Sequence, residues 1–121
     1  MKYEKVEQLP IWKLSMNLVK ELYLEIKNNK NLNKDFALQE QIKRSVISIP
    51  SNISEWFWRK TWNEFVRFLD ITLWSLYEFK TQVYICREIW YISNDRLHFF
   101  LDEISKIERQ IKSLILYLNN N

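Results

Sequence analysis

The sequence predicts an all-α fold, an antiparallel up-down-up-down four-helix bundle that forms a single domain over residues 1–121. Apolar residues recur at spacings of three and four in four blocks, which is the periodicity of amphipathic helices. No block alternates with the period of two that is expected of a strand. Only short polar segments separate the blocks, and short connections favour antiparallel neighbouring helices.

The first predicted helix runs from about Pro10 to Lys27. Pro10 suits its first turn, because the amide at that position has no partner within the helix. The residues expected to face the core are Ile11, Leu14, Leu18, Leu22 and Ile26. A polar run of three asparagines and a lysine over residues 28–31 ends this helix.

The second predicted helix begins near Asn33 or Asp35, since either side chain can cap a helix N-terminus. Its expected core residues are Phe36, Ile42, Val46, Ile49 and Ile53. Pro50 lies inside this helix, where a proline costs about 3 kcal/mol, so we expect either a kink or a restart capped by Ser48.

The third and fourth predicted helices both begin with capping signals. Thr61 and Glu64 form a capping-box pattern, and Ser93 and Asp95 suit the start of the fourth helix. The expected core positions of the third helix are Phe65, Phe68 or Leu69, Thr72, Leu76, Phe79, Val83, Cys86 and Ile89. Those of the fourth are Leu97, Leu101, Ile104, Ile107 or Glu108, Ile111, Leu114 and Leu118.

The composition, with 27% charged and 47% hydrophobic residues, is typical of a globular protein. The sequence contains neither an apolar run long enough to span a membrane nor a signal-peptide pattern, so we expect a cytoplasmic protein. The single cysteine, Cys86, excludes an internal disulfide and is expected to be buried. The net charge of +3 and the pI of about 9.0 mildly favour a polyanionic partner.

The sequence lacks the residue patterns that would predict an enzyme, a cofactor or a metal site. The single histidine, His98, is expected to be a surface or structural residue, because no second histidine or cysteine lies near it. A di-iron bundle would need Glu-x-x-His pairs, which are absent. The chain has no glycine, which excludes glycine-rich phosphate loops. We therefore expect no enzymatic activity.

Basic residues are concentrated before the third helix. Between residues 34 and 60, five basic residues face three acidic ones, and these basic residues are Lys34, Lys43, Arg44, Arg59 and Lys60. Together with Arg67, the pairs Lys43-Arg44 and Arg59-Lys60 could make one basic surface near the second connection, and if the chain forms a ring-shaped oligomer the multiplied charge would favour phosphate binding. The alternative is a set of solvated charges that pair at i,i+4 spacing.

The chain has six tryptophans and no glycine. Trp12 lies in an ordinary amphipathic run. Trp90 lies where the third helix must end, at a position that glycine usually occupies in a left-handed conformation. Trp56, Trp58 and Trp62 crowd the expected connection between the second and third helices, where a permissive backbone is wanted.

The phrase QIKRSVISIPSNISE at residues 41–55 resembles a bacterial four-helix-bundle family. Its members include proteins encoded within intervening sequences of 23S ribosomal RNA genes and the accessory variability determinant of diversity-generating retroelements. The similarity covers nearly the whole chain. It includes Leu9-Pro10-Ile11-Trp12-Lys13, Arg59-Lys60-Thr61, Glu64-Phe65, Arg67-Phe68-Leu69 and Ser75-Leu76-Tyr77-Glu78.

The resemblance implies a four-helix protomer that assembles into a homopentamer with a basic surface. In the retroelement branch it implies binding to RNA or DNA and to a reverse transcriptase. The nucleic-acid-binding residues would then be Lys43, Arg44, Arg59, Lys60 and Arg67. It implies no enzymatic activity. The alternative is a structural or protein-interaction oligomer whose basic surface contacts an acidic partner protein.

This chain departs from the family at five tryptophans. Trp56 and Trp58 replace the glycines of the family phrase Glu-Gly-x-Gly-Arg, Trp74 that of Leu-Gly-Ser-Leu, and Trp90 that of Gly-Tyr-Ile. Trp62 lies at a variable position where glycine is common. We hypothesise that all five are UGA codons that the source organism reads as glycine. As tryptophans, Trp74 is expected to overpack a helix contact and Trp90 to need a left-handed backbone. Trp56 and Trp58 would be buried by neighbouring subunits or form an exposed apolar patch.

Overall fold

A computed structural model describes residues 3–59 and 62–119 of the protein. Over these residues the fold is all-α, which confirms the predicted class, and it contains no strand. The helices are α1 (Pro10–Asn28), α2 (Lys30–Lys34), α3 (Phe36–Arg59), α4 (Trp62–Glu88) and α5 (Asn94–Asn119). A short 3-10 helix at Val6–Gln8 precedes them.

The polar segment after α1 forms a short helix that the sequence analysis did not predict. Asn29 ends α1 and caps α2, because its Oδ1 accepts a hydrogen bond from the amide of Leu32 at 3.0 Å. Leu32 is buried in the core. The burial of Leu32 therefore stabilises a short helix in a segment whose polar sequence predicts a break between helices.

The N-terminus of α3 follows one of the two predicted caps. Asp35 Oδ1 accepts a hydrogen bond from the amide of Leu38 at 3.1 Å, so the helix starts at Phe36. Phe36 itself is 74% exposed, and its predicted place in the core is wrong. It occupies the first turn of α3, next to the cap.

The helix α3 continues through Pro50, so of the two alternatives predicted there, a kink or a restart capped by Ser48, the restart does not occur. Two side chains supply donors to carbonyls of the preceding turn. Ser51 Oγ donates to the carbonyl of Ile47 at 2.8 Å, and Asn52 Nδ2 donates to the carbonyl of Ser48 at 2.8 Å. These bonds join the turns on either side of Pro50, whereas the amide that proline lacks would have donated to the carbonyl of Val46.

The C-terminus of α4 is a Schellman motif with Trp90 in the left-handed region. Trp90 has a φ of 66° and is the one residue of the described chain with a positive φ. The amide of Tyr91 donates to the carbonyl of Cys86 at 2.8 Å, and the amide of Trp90 donates to that of Arg87 at 3.1 Å. The left-handed conformation predicted for Trp90 is confirmed.

The start of α5 also agrees with the prediction, because Ser93 Oγ accepts a hydrogen bond from the amide of Arg96 at 3.1 Å. The capping box predicted for α4 includes Thr61, which lies outside the described residues.

Trp56, Trp58 and Trp74 differ from the predictions in position or in burial, although the exposure of Trp58 agrees with one of the two predicted alternatives. Trp56 and Trp58 belong to α3 and not to a connection, because that helix extends to Arg59. Trp56 is buried within the protomer at 2% exposure, whereas Trp58 is 74% exposed. Trp74 is 68% exposed on α4, so the overpacking predicted there is wrong for the protomer. The helix turns this position away from the core.

The core lies between the four long helices, in which α1 contacts α3 and α5, and α4 contacts α3 and α5. Most predicted core positions are buried, including Leu18, Leu22, Ile42, Val46, Ile49, Ile53, Leu69, Thr72, Leu76, Phe79, Val83, Ile104, Ile107 and Ile111. Ile89 is an exception at 43% exposure, because α4 ends one residue earlier. Among the described helices, none combines the length and the apolarity that crossing a membrane requires.

Candidate nucleic-acid interface

The structure does not bring the predicted basic residues together into one surface. Lys43 and Arg44 lie in the first half of α3, and Arg59 is its last residue. Because α3 is continuous, Lys43 and Arg59 are separated by about 24 Å at about 1.5 Å per residue. Lys60 lies outside the described residues.

Arg59 is engaged by acidic and aromatic neighbours. Its Nε lies 3.5 Å from Glu55 Oε2, and its Nη1 lies 3.4 Å from Glu64 Oε1. Its guanidinium carbon lies 5.5 Å from the ring centroid of Phe68. The contact with Glu55 is an i,i+4 ion pair, as expected if the basic residues are solvated charges that pair along their own helix. These half-exposed pairs contribute at most about 1 kcal/mol each, so they reduce the local charge without fixing the side chain firmly.

Two other predicted arginines are exposed and unpaired in the described part of the chain. Arg44 lies on α3, and Arg67 lies on α4 next to Phe68. Neither makes an ion pair or a side-chain hydrogen bond with a described residue. Arg67 shares the α3–α4 end of the molecule with Arg59, because Arg59 packs on the adjacent Phe68.

Lys43 lies in a groove between α1 and α3 that the sequence analysis missed. The groove has a volume of about 460 Å³, and three of its lining residues are Lys20, Lys27 and Lys43. We call it the lysine groove. Its other lining residues are Tyr23, Leu24, Ile26, Asn33 and Gln39, so no lining residue is acidic. Lys43 Nζ lies 5.3 Å from the ring centroid of Tyr23 instead of pairing with a carboxylate.

The heptad spacing of lysines on α1 is the sequence signal that could have found this groove. Lys20 and Lys27 are seven residues apart, which places them on one face of α1 two turns apart. Lys13 lies a further seven residues toward the N-terminus. A count of net charge by chain segment conceals this alignment, because the negative charges of Glu21 and Glu25 cancel the positive charges of Lys20 and Lys27.

The α1 carboxylates nearest in sequence to the lysine groove are engaged elsewhere, whereas Glu40 of α3, next to the lining residue Gln39, is exposed and makes no ion pair with a described residue. Glu25 Oε1 lies 2.7 Å from Arg96 Nε, and Glu21 Oε2 lies 4.0 Å from Arg96 Nη2, so both acids face α5. Asp35 Oδ2 accepts a hydrogen bond from the Tyr91 hydroxyl at 3.0 Å, which raises the pKa of Tyr91. The acids of α1 therefore stabilise its contact with α5 and leave the opposite face basic.

Within the described ranges, the titratable side chains form no cluster of three histidine, cysteine, aspartate or glutamate residues that could hold a metal ion. His98 is exposed. Cys86 is buried, as predicted, and burial raises its pKa to about 11. A thiol with a raised pKa is a poor nucleophile, because the reactive species is the thiolate.

An aromatic and aliphatic strip covers the outer face of α4. Trp74, Tyr77, Tyr84 and Ile85 are 68%, 39%, 47% and 42% exposed. On α5, Leu116 and Tyr117 are 63% and 59% exposed. Single exposed apolar residues are ordinary, but a series of large ones along one helix is typical of an interaction surface.

Comparisons with known proteins give one family and one fold. A family model described as "23S rRNA-intervening sequence protein" matches residues 7–113. A crystal structure of a protein of unknown function from the S23 ribosomal protein family of Bacteroides thetaiotaomicron is similar, with a TM-score of 0.80 and 23% identity. The match covers 87% of this chain and 94% of that chain. No curated protein matches.

Proposed function

Because the chain belongs to the 23S rRNA-intervening sequence protein family, we propose that it is a non-catalytic protein that binds nucleic acid as a homo-oligomer. The observation that carries the proposal is the exposure of Arg44 and Arg67, which have no acidic partner among the described residues. An unpaired guanidinium is a strong donor to phosphate oxygens and can bind them through two parallel hydrogen bonds. The protein is not an enzyme in this proposal.

The contacts are made to phosphates and not to base edges. Arg44 and Arg67 lie on exposed helix surfaces, and neither side chain is held by a described hydrogen bond in the way that reading a base edge requires. Phosphate contacts need no such fixed geometry, and they position a protein without reading sequence. Lys43, Arg59 and Lys60 remain members of the proposed set, with Arg59 exchanging its weak acid pairs for phosphate.

The homo-oligomer is supported by the apolar strip on α4, which a partner subunit would cover. The resemblance to the family makes a pentamer the proposed size. We also propose the antiparallel up-down-up-down arrangement for α1, α3, α4 and α5. For α3 and α4, the support is the side-chain pairs Arg59–Glu64, Ser48–Ser75 and Ser45–Gln82, whose members lie progressively further from the connection along both helices.

A reverse transcriptase is the proposed protein partner if the gene belongs to a retroelement. Genomic neighbourhood tests this directly, because the retroelement hypothesis requires a reverse transcriptase gene and a template repeat alongside. An isolated gene within a 23S ribosomal RNA intervening sequence would favour the other branch of the family.

The second candidate function is a structural or protein-interaction oligomer without a direct nucleic-acid role. The apolar strip on α4 favours it, because that surface suits a protein and not a nucleic acid. A pull-down with and without nuclease distinguishes the two functions. A partner that stays bound after nuclease treatment favours the interaction module.

Filter binding with single-stranded and duplex RNA and DNA tests the proposed function. We expect binding that weakens as the salt concentration rises, and a double variant Arg44→Gln/Arg67→Gln that lowers the slope of log K against log salt by about 1.5. The matched control is Lys106→Gln/Lys112→Gln, which removes the same charge from α5. Absence of binding at low salt, or binding that ignores salt, would refute the proposal.

A further inference from the structure

We propose that the lysine groove binds a single strand of nucleic acid, with the ammonium groups of Lys20, Lys27 and Lys43 on its phosphates and Tyr23 beside a base. This inference rests on the proposed function, since it assigns a specific site to nucleic-acid binding. The site is distinct from the arginines at the α3–α4 end.

The first argument is electrostatic. Three ammonium groups line one groove that has no acidic lining residue. The α1 carboxylates of Glu21 and Glu25 are directed to Arg96, as described above. Lysines that share a groove repel one another, and a bound polyanion both removes the repulsion and releases its own counterions.

The second argument is the shape of the groove. Lys20 and Lys27 lie about 10.5 Å apart along α1, given about 1.5 Å of rise per residue, and Lys43 is contributed by α3. A separate depression of about 280 Å³ lies between the same two helices and is lined by residues that include Trp12, Met16 and Pro50. The spacing of the three lysines over two helices suits a polymer better than a single small anion.

The third argument is the type of side chain. Lysine is a compact point charge that tolerates many directions of approach, which suits the phosphodiester oxygens of a flexible strand. Tyr23 is 42% exposed, so part of its ring is open to a base.

The base of the groove is held by hydrogen bonds of its own. Gln39 Nε2 donates to the carbonyls of Leu32 and Asn33, the former at 2.9 Å, and Asn33 Nδ2 donates to the carbonyl of Ile26 at 3.3 Å. Gln39 is buried, so these bonds are shielded from water. The lysines therefore extend from a fixed frame, and the groove exists before the strand binds.

The test uses the full chain and a fluorescein-labelled single-stranded RNA oligonucleotide in anisotropy titrations at several salt concentrations. The triple variant Lys20→Gln/Lys27→Gln/Lys43→Gln is compared with Lys106→Gln/Arg109→Gln/Lys112→Gln, which removes three positive charges from α5. We expect the groove variant to bind at least about tenfold more weakly at low salt and to lower the salt slope by about 2, since each single-strand phosphate contributes about 0.7. The α5 variant should change both quantities less.

A second measurement uses the unaltered protein and does not depend on the folding of a variant. Lysine acetylation is mapped by mass spectrometry with and without the oligonucleotide, and Lys20, Lys27 and Lys43 should be protected while Lys106 and Lys112 are not. Equal effects of the two triple variants, or no protection of the groove lysines, would overturn the inference while leaving the proposed function intact.

Two further outcomes separate the inference from its premise. If the wild-type protein binds no RNA or DNA at low salt, the proposed function fails and the groove assignment fails with it. If a polyglutamate peptide binds as tightly as the oligonucleotide and protects the same lysines, the groove binds acidic protein segments, and the nucleic-acid assignment is overturned.

Discussion

Replacing Trp90 should reveal how much the left-handed turn at the end of α4 costs this protein. Trp90 has a φ of 66°, a conformation that costs a residue with a Cβ about 1–2 kcal/mol and costs glycine almost nothing. The side chain is 76% exposed, so little apolar burial is at stake. Its described contact is with Arg87, whose guanidinium carbon lies 4.6 Å from the ring centroid and contributes about 0.5 kcal/mol at an exposed site.

Two variants separate these contributions. Trp90→Ala loses the contact with Arg87 and keeps the Cβ, so we expect it to be less stable than wild type by about 0.5 kcal/mol. Trp90→Gly also removes the Cβ and should be more stable than Trp90→Ala by about 1 kcal/mol. The measurement is the free energy of unfolding from urea titrations followed by circular dichroism, with unchanged m-values as the check on two-state behaviour.

Trp74 is the matched control, because it is a similarly exposed tryptophan in the middle of a helix. There, Trp74→Gly should be less stable than Trp74→Ala by about 1 kcal/mol, the reverse of the order at Trp90. Equal stabilities of the alanine and glycine variants at position 90 would refute the argument from backbone conformation. The hypothesis that these tryptophans are glycines in the natural protein is favoured by the backbone at position 90, which is left-handed, and disfavoured at position 74, which lies within a helix. UGG codons in the gene would exclude recoding at both positions.

Three further predictions concern contacts within the bundle. Arg96→Met should destabilise the protein by about 1–2 kcal/mol in urea unfolding, because the Glu25 carboxylate, which is only 12% exposed, then keeps only the hydrogen bond from Asn29 Nδ2 at 3.4 Å; an unchanged midpoint would contradict this. Ser45→Ala should cost about 1–3 kcal/mol, because Gln82 Oε1 loses its buried donor, and the reasoning fails if thermal stability is unaffected. Burial favours the neutral thiol of Cys86 and raises its pKa from 9.0 to about 11, so this stabilisation is complete below pH 9.0 and is lost as pH rises toward 11. Wild type should therefore lose stability over that interval more steeply than Cys86→Ala, and parallel pH profiles would exclude the thiol as the cause.

The ends of the helices could largely be predicted from the sequence. Asp35, Ser93 and Trp90 mark helix ends in the sequence, and each occupies the predicted capping position in the structure. A cap depends on hydrogen bonds between residues three to five positions apart, so the information is local. Pro50 shows the limit of local reasoning, because its helix continues where the intrinsic cost of proline favours a break.

The grouping of the candidate site residues in space was harder to predict than the fold. Grouping by chain segment placed Lys43 beside Arg59, and the unbroken course of α3 separates them. The grouping by chain segment also overlooked Lys20 and Lys27, which line the groove together with Lys43 of another helix. The pairing of Arg59 with Glu64 likewise depends on the approach of α4 to the end of α3.

By itself, the sequence determined the all-α class, the buried face of most helices and the left-handed turn at Trp90. These features follow from the 3.6-residue period and from hydrogen bonds within one turn, which neighbouring residues specify. Only the tertiary structure decided that Trp56 is buried and Trp74 exposed, and that three lysines from α1 and α3 line one groove free of acids. The physical reason is that exposure and the grouping of charges depend on which helices pack together, and residues far apart in the chain decide that packing.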